Sequence, residues 1–189
     1  MRLFIAIETP PEIRELIGRL VAPLRALNAP VKWEQNDKLH VTLKFLGDTP
    51  EEKVPAIIAA LKSAAMKAPG PFLIRYTAPG MFPNRHRPRI IWIGVDDPRG
   101  VMTQVQSAVE QSLEQLGIQR EQRPFHPHVT IGRVKGERIP DRLLEEVENL
   151  TLHTDEVPVS EFTLVKSETK SDGSVYTVLE RFPIDRGKT

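Results

Sequence analysis

The hydrophobic pattern of the chain alternates between strand and helix periods. Leu3, Phe4, Ile5 and Ile7 form a short apolar run closed by Thr9-Pro10-Pro11, which predicts a buried strand over 2–8. Ile13, Leu16, Ile17, Leu20, Leu24 and Leu27 recur at three- and four-residue steps, the stripe of an amphipathic helix that Pro23 is expected to kink. Leu39, Val41, Leu43 and Phe45 then alternate with His40, Thr42 and Lys44, as in a half-buried strand ending at Gly47-Asp48. A second helix is expected from Thr49 as N-cap, with Pro50 at its first position and Glu52 completing a capping box. Val54, Ile57, Ile58 and Leu61 are its stripe, and Pro69-Gly70-Pro71 stops it.

Strands follow at about 72–77 and 89–95, separated by a loop over 79–88 rich in Pro, Gly and Arg. Asp97-Pro98 opens a third helix, with Val101, Val105, Ala108, Leu113 and Leu116 inward and Gly117 at its end. Next come a strand at about 127–133 and a short helix from Pro140 carrying Leu143, Leu144 and Val147. A hairpin of strands at about 159–168 and 174–182, turning at Asp172-Gly173, completes the pattern. The order βαβαββαβαββ, with no linker, predicts an α+β fold in which 1–189 form one domain. Its two pseudo-symmetric lobes are expected to line a central cleft with antiparallel sheets and to carry their helices outside.

Composition narrows the function classes. The chain has 189 residues, 40% hydrophobic and 27% charged, with a net charge of +1. That is ordinary for a globular protein. It supplies no global basic field, so an anionic ligand must be held by local charge. There is no cysteine, which excludes disulfides, thiolate nucleophiles and Cys-based zinc sites. The first apolar run is too short for a signal peptide and no run is long enough to span a membrane. A cytoplasmic monomer with no membrane partner is expected.

Candidate chemistry centres on a repeat. His40-Val41-Thr42-Leu43 and His128-Val129-Thr130-Ile131 share the pattern His-Val-Thr-aliphatic, one copy in each half. On a strand, residues i and i+2 share a face, so each copy presents one imidazole and one hydroxyl together. If the halves are related by a pseudo-two-fold axis, both pairs face one cleft. A single H-x-T carries little weight, and an isolated copy reads equally as a surface strand. Two matching copies on strand-like alternation are much harder to obtain by chance. A neutral imidazole takes a proton from water while a protonated one gives a proton to a leaving oxygen, and both states are accessible near the ordinary pKa of ~6.5. Threonine hydroxyls can donate to non-bridging phosphate oxygens. The set suits opening a cyclic phosphodiester. It needs no metal or cofactor, and neither copy offers the third ligand that a zinc site requires.

At these residues the chain resembles the 2H phosphoesterase superfamily, and within it the bacterial and archaeal RNA 2′,3′-cyclic phosphodiesterases, also called 2′-5′ RNA ligases. The likeness covers nearly the whole chain. It rests on Phe4-Ile5-Ala6-Ile7, on the stretch from His40 through Gly47, on Phe82-Pro83 with Arg87-Pro88-Arg89 and Trp92, and on the stretch from Phe125 through Arg133. The resemblance implies a bilobal fold around a cleft and hydrolysis of an RNA 2′,3′-cyclic phosphate to a 2′-phosphomonoester. It implies His40 as donor to O3′ and His128 as base toward water, although the near-symmetric motifs do not by themselves order these roles. It also implies a capacity in some members for 2′-5′ ligation by the same acid–base chemistry.

Further residues have candidate roles. Arg133 is expected to clamp phosphate, but alternation points it away from His128 and Thr130 unless the strand bends or bulges near Gly132. The basic run Arg85-His86-Arg87-Pro88-Arg89 either tracks an RNA backbone or is a solvated loop. Phe4, Phe45 and Phe125 are candidates for base stacking or for core, with Phe125 the best placed. Lys44 shares the face of His40 and is a candidate for phosphate contact; His126 is a candidate for substrate contact. The expected partner is RNA with a 2′,3′-cyclic phosphate end, tRNA fragments and small cyclic nucleotides included. Two rivals remain: an RNA- or nucleotide-binding module with little turnover, and a metal-dependent phosphohydrolase, separated by assays of turnover and of chelator resistance.

Overall fold

The structure, a computed structural model, describes residues 1–136, 138–171 and 173–184. Its strands are β1 (Arg2–Glu8), β2 (Val31–Trp33), β3 (His40–Asp48), β4 (Phe72–Phe82), β5 (Ile90–Asp96), β6 (His128–Val134), β7 (Val157–Val159), β8 (Glu161–Lys170) and β9 (Gly173–Pro183). Its helices are α1 (Pro11–Ala26), α2 (Val54–Lys67), α3 (Val101–Glu114) and α4 (Asp141–Asn149). The strands pair antiparallel throughout in the order β7-β4-β5-β6-β3-β1-β8-β9, with β2 on β6. The fold class is therefore the expected α+β, but the two sheets are one continuous curled sheet.

The lobes are also not the two halves of the chain. One is built on β3, β1, β8 and β9, so it joins the N-terminal strands to the C-terminal hairpin. The other is built on β7, β4, β5 and β6. Helix α2 packs on α3 and β9, and α3 on β3; α1 packs on α4, and α4 on β4. A single apolar cluster runs from Leu3 and Ile5 through Tyr76 and Ile93 to Phe162 and Phe182.

Several local expectations are corrected. Thr49 does not cap a helix, because its hydroxyl turns back to the Gly47 carbonyl at 3.2 Å. A 3-10 turn over Glu51–Lys53 precedes α2 instead. Strand β4 runs through Pro79 and Gly80 to Phe82, because the register shifts between Thr77 and Pro79 and the missing N–H falls at the irregularity. Asp97 does hold the start of α3, but from a distance: its Oδ2 accepts the backbone N–H of Thr103 at 3.0 Å. Leu116 lies past the end of α3 and is exposed. The hairpin forms as expected; Asp172 of its turn lies outside the described residues. Strands β2 and β7, three residues each, carry too few positions for a periodic signal.

Two irregularities shape the centre of the sheet. Along β1, Ala6 pairs with Thr42 but Ile5 pairs with Lys44, so Leu43 is an extra residue in β3. Along β5, Trp92 pairs with Thr130 but Ile91 pairs with Gly132, so Ile131 is an extra residue in β6. The two bulges occupy the same position, three residues after the histidine. Each lets two successive residues lie on the buried side, Leu43 with Lys44 and Ile131 with Gly132.

Candidate active site

Strands β3 and β6 meet at one pair, Val41 opposite Val129. Both valines are fully buried. In an antiparallel pair the flanking residues stand alongside each other and on the opposite face. His40 therefore lies beside Thr130, and Thr42 beside His128. All four emerge on the open side of the sheet and line a cleft of about 820 Å³. Away from this one pair the strands part company, and the cleft occupies the space where they diverge.

The imidazoles are held alike. His40 Nδ1 lies 2.7 Å from the Lys38 carbonyl, and His128 Nδ1 lies 2.6 Å from the His126 carbonyl, in each case the carbonyl two residues upstream. A carbonyl only accepts, so each Nδ1 carries a proton and donates it. In the neutral ring this leaves Nε2 as the bare nitrogen. Thr42 Oγ1 stands 3.1 Å from His40 Nε2 and donates to it.

The walls differ. The His40 ring stacks on Phe4 with centroids 4.8 Å apart and meets Tyr176 edge-on at 5.6 Å. His128 meets Phe82 edge-on at 5.1 Å, and His126 packs between Phe82 and Trp92 at 5.2 and 5.0 Å. The Trp92 ring covers Gly80, where a Cβ would stand 2.2 Å from it; only glycine leaves that space.

Burial, the largest cause, lowers the pKa of His40 below its ordinary 6.5. The bond to the Lys38 carbonyl and the nearby Glu34 charge act upward, while Arg133 and Arg14 act downward. Burial likewise lowers His128; its bond to the His126 carbonyl acts upward, and the His126 ring and Arg133 act downward. Arg133 is thus felt by both imidazoles.

The bulges decide which supporting residues reach the cleft. Arg133 lines it, because the extra residue at Ile131 reverses the alternation that would have turned it away. Its Nε donates to Glu34 Oε1 at 3.2 Å. Lys44 also borders the cleft, but the bulge at Leu43 takes it off the His40 face, and its ammonium is held against Glu110 on α3 at 2.6 Å, where it also donates to the Gln119 carbonyl at 2.8 Å. Phe45 takes the cleft side in its place, 68% exposed. Phe4 is corrected: it is buried beneath His40 and has no face open to a base. Phe125, His126 and Arg89 line the cleft; Arg87 lies outside it.

Glu34, Phe82 as a ring against His128, and Tyr176 were not singled out as site residues from the sequence. Glu34 is delivered by β2, its N–H donating to the Ile131 carbonyl at 2.9 Å. Tyr176 is delivered by the β8–β9 hairpin, where it pairs with Ser167. Tyr176 stands far from both tetrads in the chain, and Glu34, six residues before His40, reaches the site through β2 and β6 rather than along β3. Among the described residues no three His, Cys, Asp or Glu side chains group as metal ligands, and no helix is long and apolar enough to cross a membrane.

The profile of the 2′-5′ RNA ligase superfamily matches residues 9–171. An RNA 2′,3′-cyclic phosphodiesterase of Methanothermobacter thermautotrophicus is 33% identical over 183 residues, 96% of this chain and 98% of its own. One of Thermus thermophilus is 35% identical over 193 residues, covering 97% and 90%. Among solved structures, Escherichia coli LigT complexed with 3′-AMP superposes with a TM-score of 0.77 at 28% identity, covering 97% of each chain.

Proposed function

Since the chain belongs to the 2′-5′ RNA ligase superfamily, we propose that it hydrolyses RNA 2′,3′-cyclic phosphate ends to 2′-phosphomonoesters by two-histidine acid–base chemistry, acting as one domain. The activity itself is the one its relatives over nearly the full length are named for. The observation that carries the mechanism is the common pinning of both Nδ1–H groups by backbone carbonyls, which leaves two Nε2 atoms on one cleft beside two threonine hydroxyls.

Neutral His128 takes a proton from water at Nε2 as the water oxygen attacks phosphorus. Protonated His40 gives its Nε2 proton to O3′ as the P–O3′ bond breaks, leaving phosphate on O2′. Thr42, Thr130 and Arg133 donate to the non-bridging oxygens, whose charge must be held through the transition state. Two features support this ordering of roles. Glu34 favours the protonated form of His40, whereas the His126 ring disfavours that of His128. With a ribose 5′-hydroxyl in place of water as the nucleophile, the same groups would form a 2′-5′ linkage as the P–O3′ bond breaks. His126, Arg89 and Phe125 are assigned to substrate contact at the cleft walls.

The test is end-group analysis of the product from a short RNA bearing a 2′,3′-cyclic phosphate. A 2′-phosphate is expected. A 3′-phosphate would reverse the leaving group and the two histidine roles, and no hydrolysis with tight binding would favour the binding-module reading.

A further inference from the structure

The loop over 83–88 between β4 and β5 takes no part in the proton transfers. It is closed at its base by the Arg89 N–H, which donates to the Phe82 carbonyl at 2.7 Å. Asn84 Oδ1 accepts the backbone N–H groups of His86 and Arg87 at 3.0 and 3.1 Å, so the basic run is carried on an ordered turn. Across from it stands the segment entering α4. Between the two lies a groove of about 790 Å³.

Arg85, His86, Arg87, Arg89 and Arg138 line this groove against one carboxylate among the described residues, Asp141. Arg85 is paired with Glu148 at 3.1 Å. Among the described residues Arg87, Arg89 and Arg138 have no carboxylate partner. For a chain of net charge +1 this is a strong local excess. Pro83 and Arg89 belong to both the groove and the cleft, so the two adjoin on the Phe82 side.

We propose that this groove holds the phosphodiester backbone of the nucleotides 5′ to the cyclic end, which makes single-stranded RNA rather than a free nucleotide the preferred substrate. The proposal rests on the reaction assigned above. A 2′,3′-cyclic phosphate ends its chain, so RNA seated in the cleft can leave it only in the 5′ direction. The basic groove supplies charge along such a path. Pro83, Pro88 and Ile139 offer apolar surface between the guanidinium groups, suited to sugar and base faces.

The experiment compares the parent protein with the double variant Arg87→Ala/Arg138→Ala, both positions outside the cleft. Two substrates are used: a mononucleoside 2′,3′-cyclic phosphate, and a ten-nucleotide single-stranded RNA with the same cyclic end. Each lost backbone contact removes about 0.7 from the slope of log affinity against log salt, which for two contacts is roughly 25-fold near 0.1 M salt. The expected result is kcat/KM on the decamer lowered by about that factor and converging with the parent as salt approaches 1 M. Mononucleotide hydrolysis is expected to stay within about twofold. An unchanged decamer rate overturns the proposal, and so does a parallel fall on the mononucleotide, which would place these arginines in service of the cleft or the fold. If the parent hydrolyses neither substrate, the reaction assignment fails instead. The groove is then judged by fluorescence anisotropy of the same decamer: weaker binding with a shallower salt slope in the variant supports it, and equal binding overturns it.

Discussion

Lys44 Nζ donates to Glu110 Oε2 at 2.6 Å, with the two side chains only 5% and 7% exposed. The pair ties the bulge of β3 to α3 in the wall of the cleft, and Glu110 also accepts from Gln106 Nε2 at 3.2 Å. Removing one partner of a buried ion pair strands the other, at a cost of about 3–5 kcal/mol. Lys44→Met is therefore expected to lower the stability of the protein by about that amount in urea unfolding. Lys44→Met combined with Glu110→Leu is expected to recover most of it. A double variant as unstable as the single one would show that the pair is irreplaceable in packing rather than costly when broken.

Each histidine is expected to be indispensable to hydrolysis and nearly dispensable to folding. His40→Ala and His128→Ala should each lower kcat by roughly 10²–10⁴-fold, the contribution of one positioned acid or base. Neither removes a core side chain, so thermal midpoints should fall by no more than about 4 °C, the shift that ~1 kcal/mol produces in a chain of this size. If both variants keep parental rates, the acid–base assignment is wrong.

The tetrads were legible because strand alternation is visible in His40-Val41-Thr42 and in His128-Val129-Thr130. What alternation cannot register is an extra residue in a strand. Leu43 and Ile131 continue the alternation set by Val41 and Val129, so the bulges leave no mark in the pattern, yet they send Lys44 inward and bring Phe45 and Arg133 to the cleft. Gly132 hinted at one of them. Its requirement is steric: a Cβ there would stand 2.8 Å from Val31 and 2.9 Å from Trp33 on β2. Glu34 and Tyr176 were invisible for a different reason. They reach the site through pairings between strands distant in the chain, and no local pattern encodes which strand becomes whose neighbour.

The pH dependence follows from the direction of the two shifts. Both imidazoles lose their protons below 6.5 in the free protein. The reaction needs one protonated and one neutral, so the competent form is the singly protonated pair, and it dominates on the acid side of 6.5. A bell for kcat/KM with its maximum below pH 6.5 is expected, falling tenfold per unit at higher pH. The alkaline limb of kcat should lie higher, because a bound phosphate anion favours the charged form of the acid. Rates measured from pH 4.5 to 9 decide this, and a kcat/KM still rising between pH 7 and 8 would contradict it.

The Glu34–Arg133 pair gives a sign test of the same electrostatics. Glu34 acts upward on His40 and is not among the causes acting on His128, while Arg133 acts downward on both. In Glu34→Gln, the His40 titration followed by NMR should move to lower pH and His128 should stay in place. In Arg133→Ala, both should move to higher pH. If His40 is the acid, the first change carries the alkaline limb of kcat/KM with it toward lower pH. Arg133→Ala should also raise KM by roughly 10–150-fold, as loss of a charged hydrogen bond to phosphate is worth about 1.5–3 kcal/mol. A Glu34→Gln variant that moves His128 and leaves His40 unchanged would reverse the assignment of acid and base.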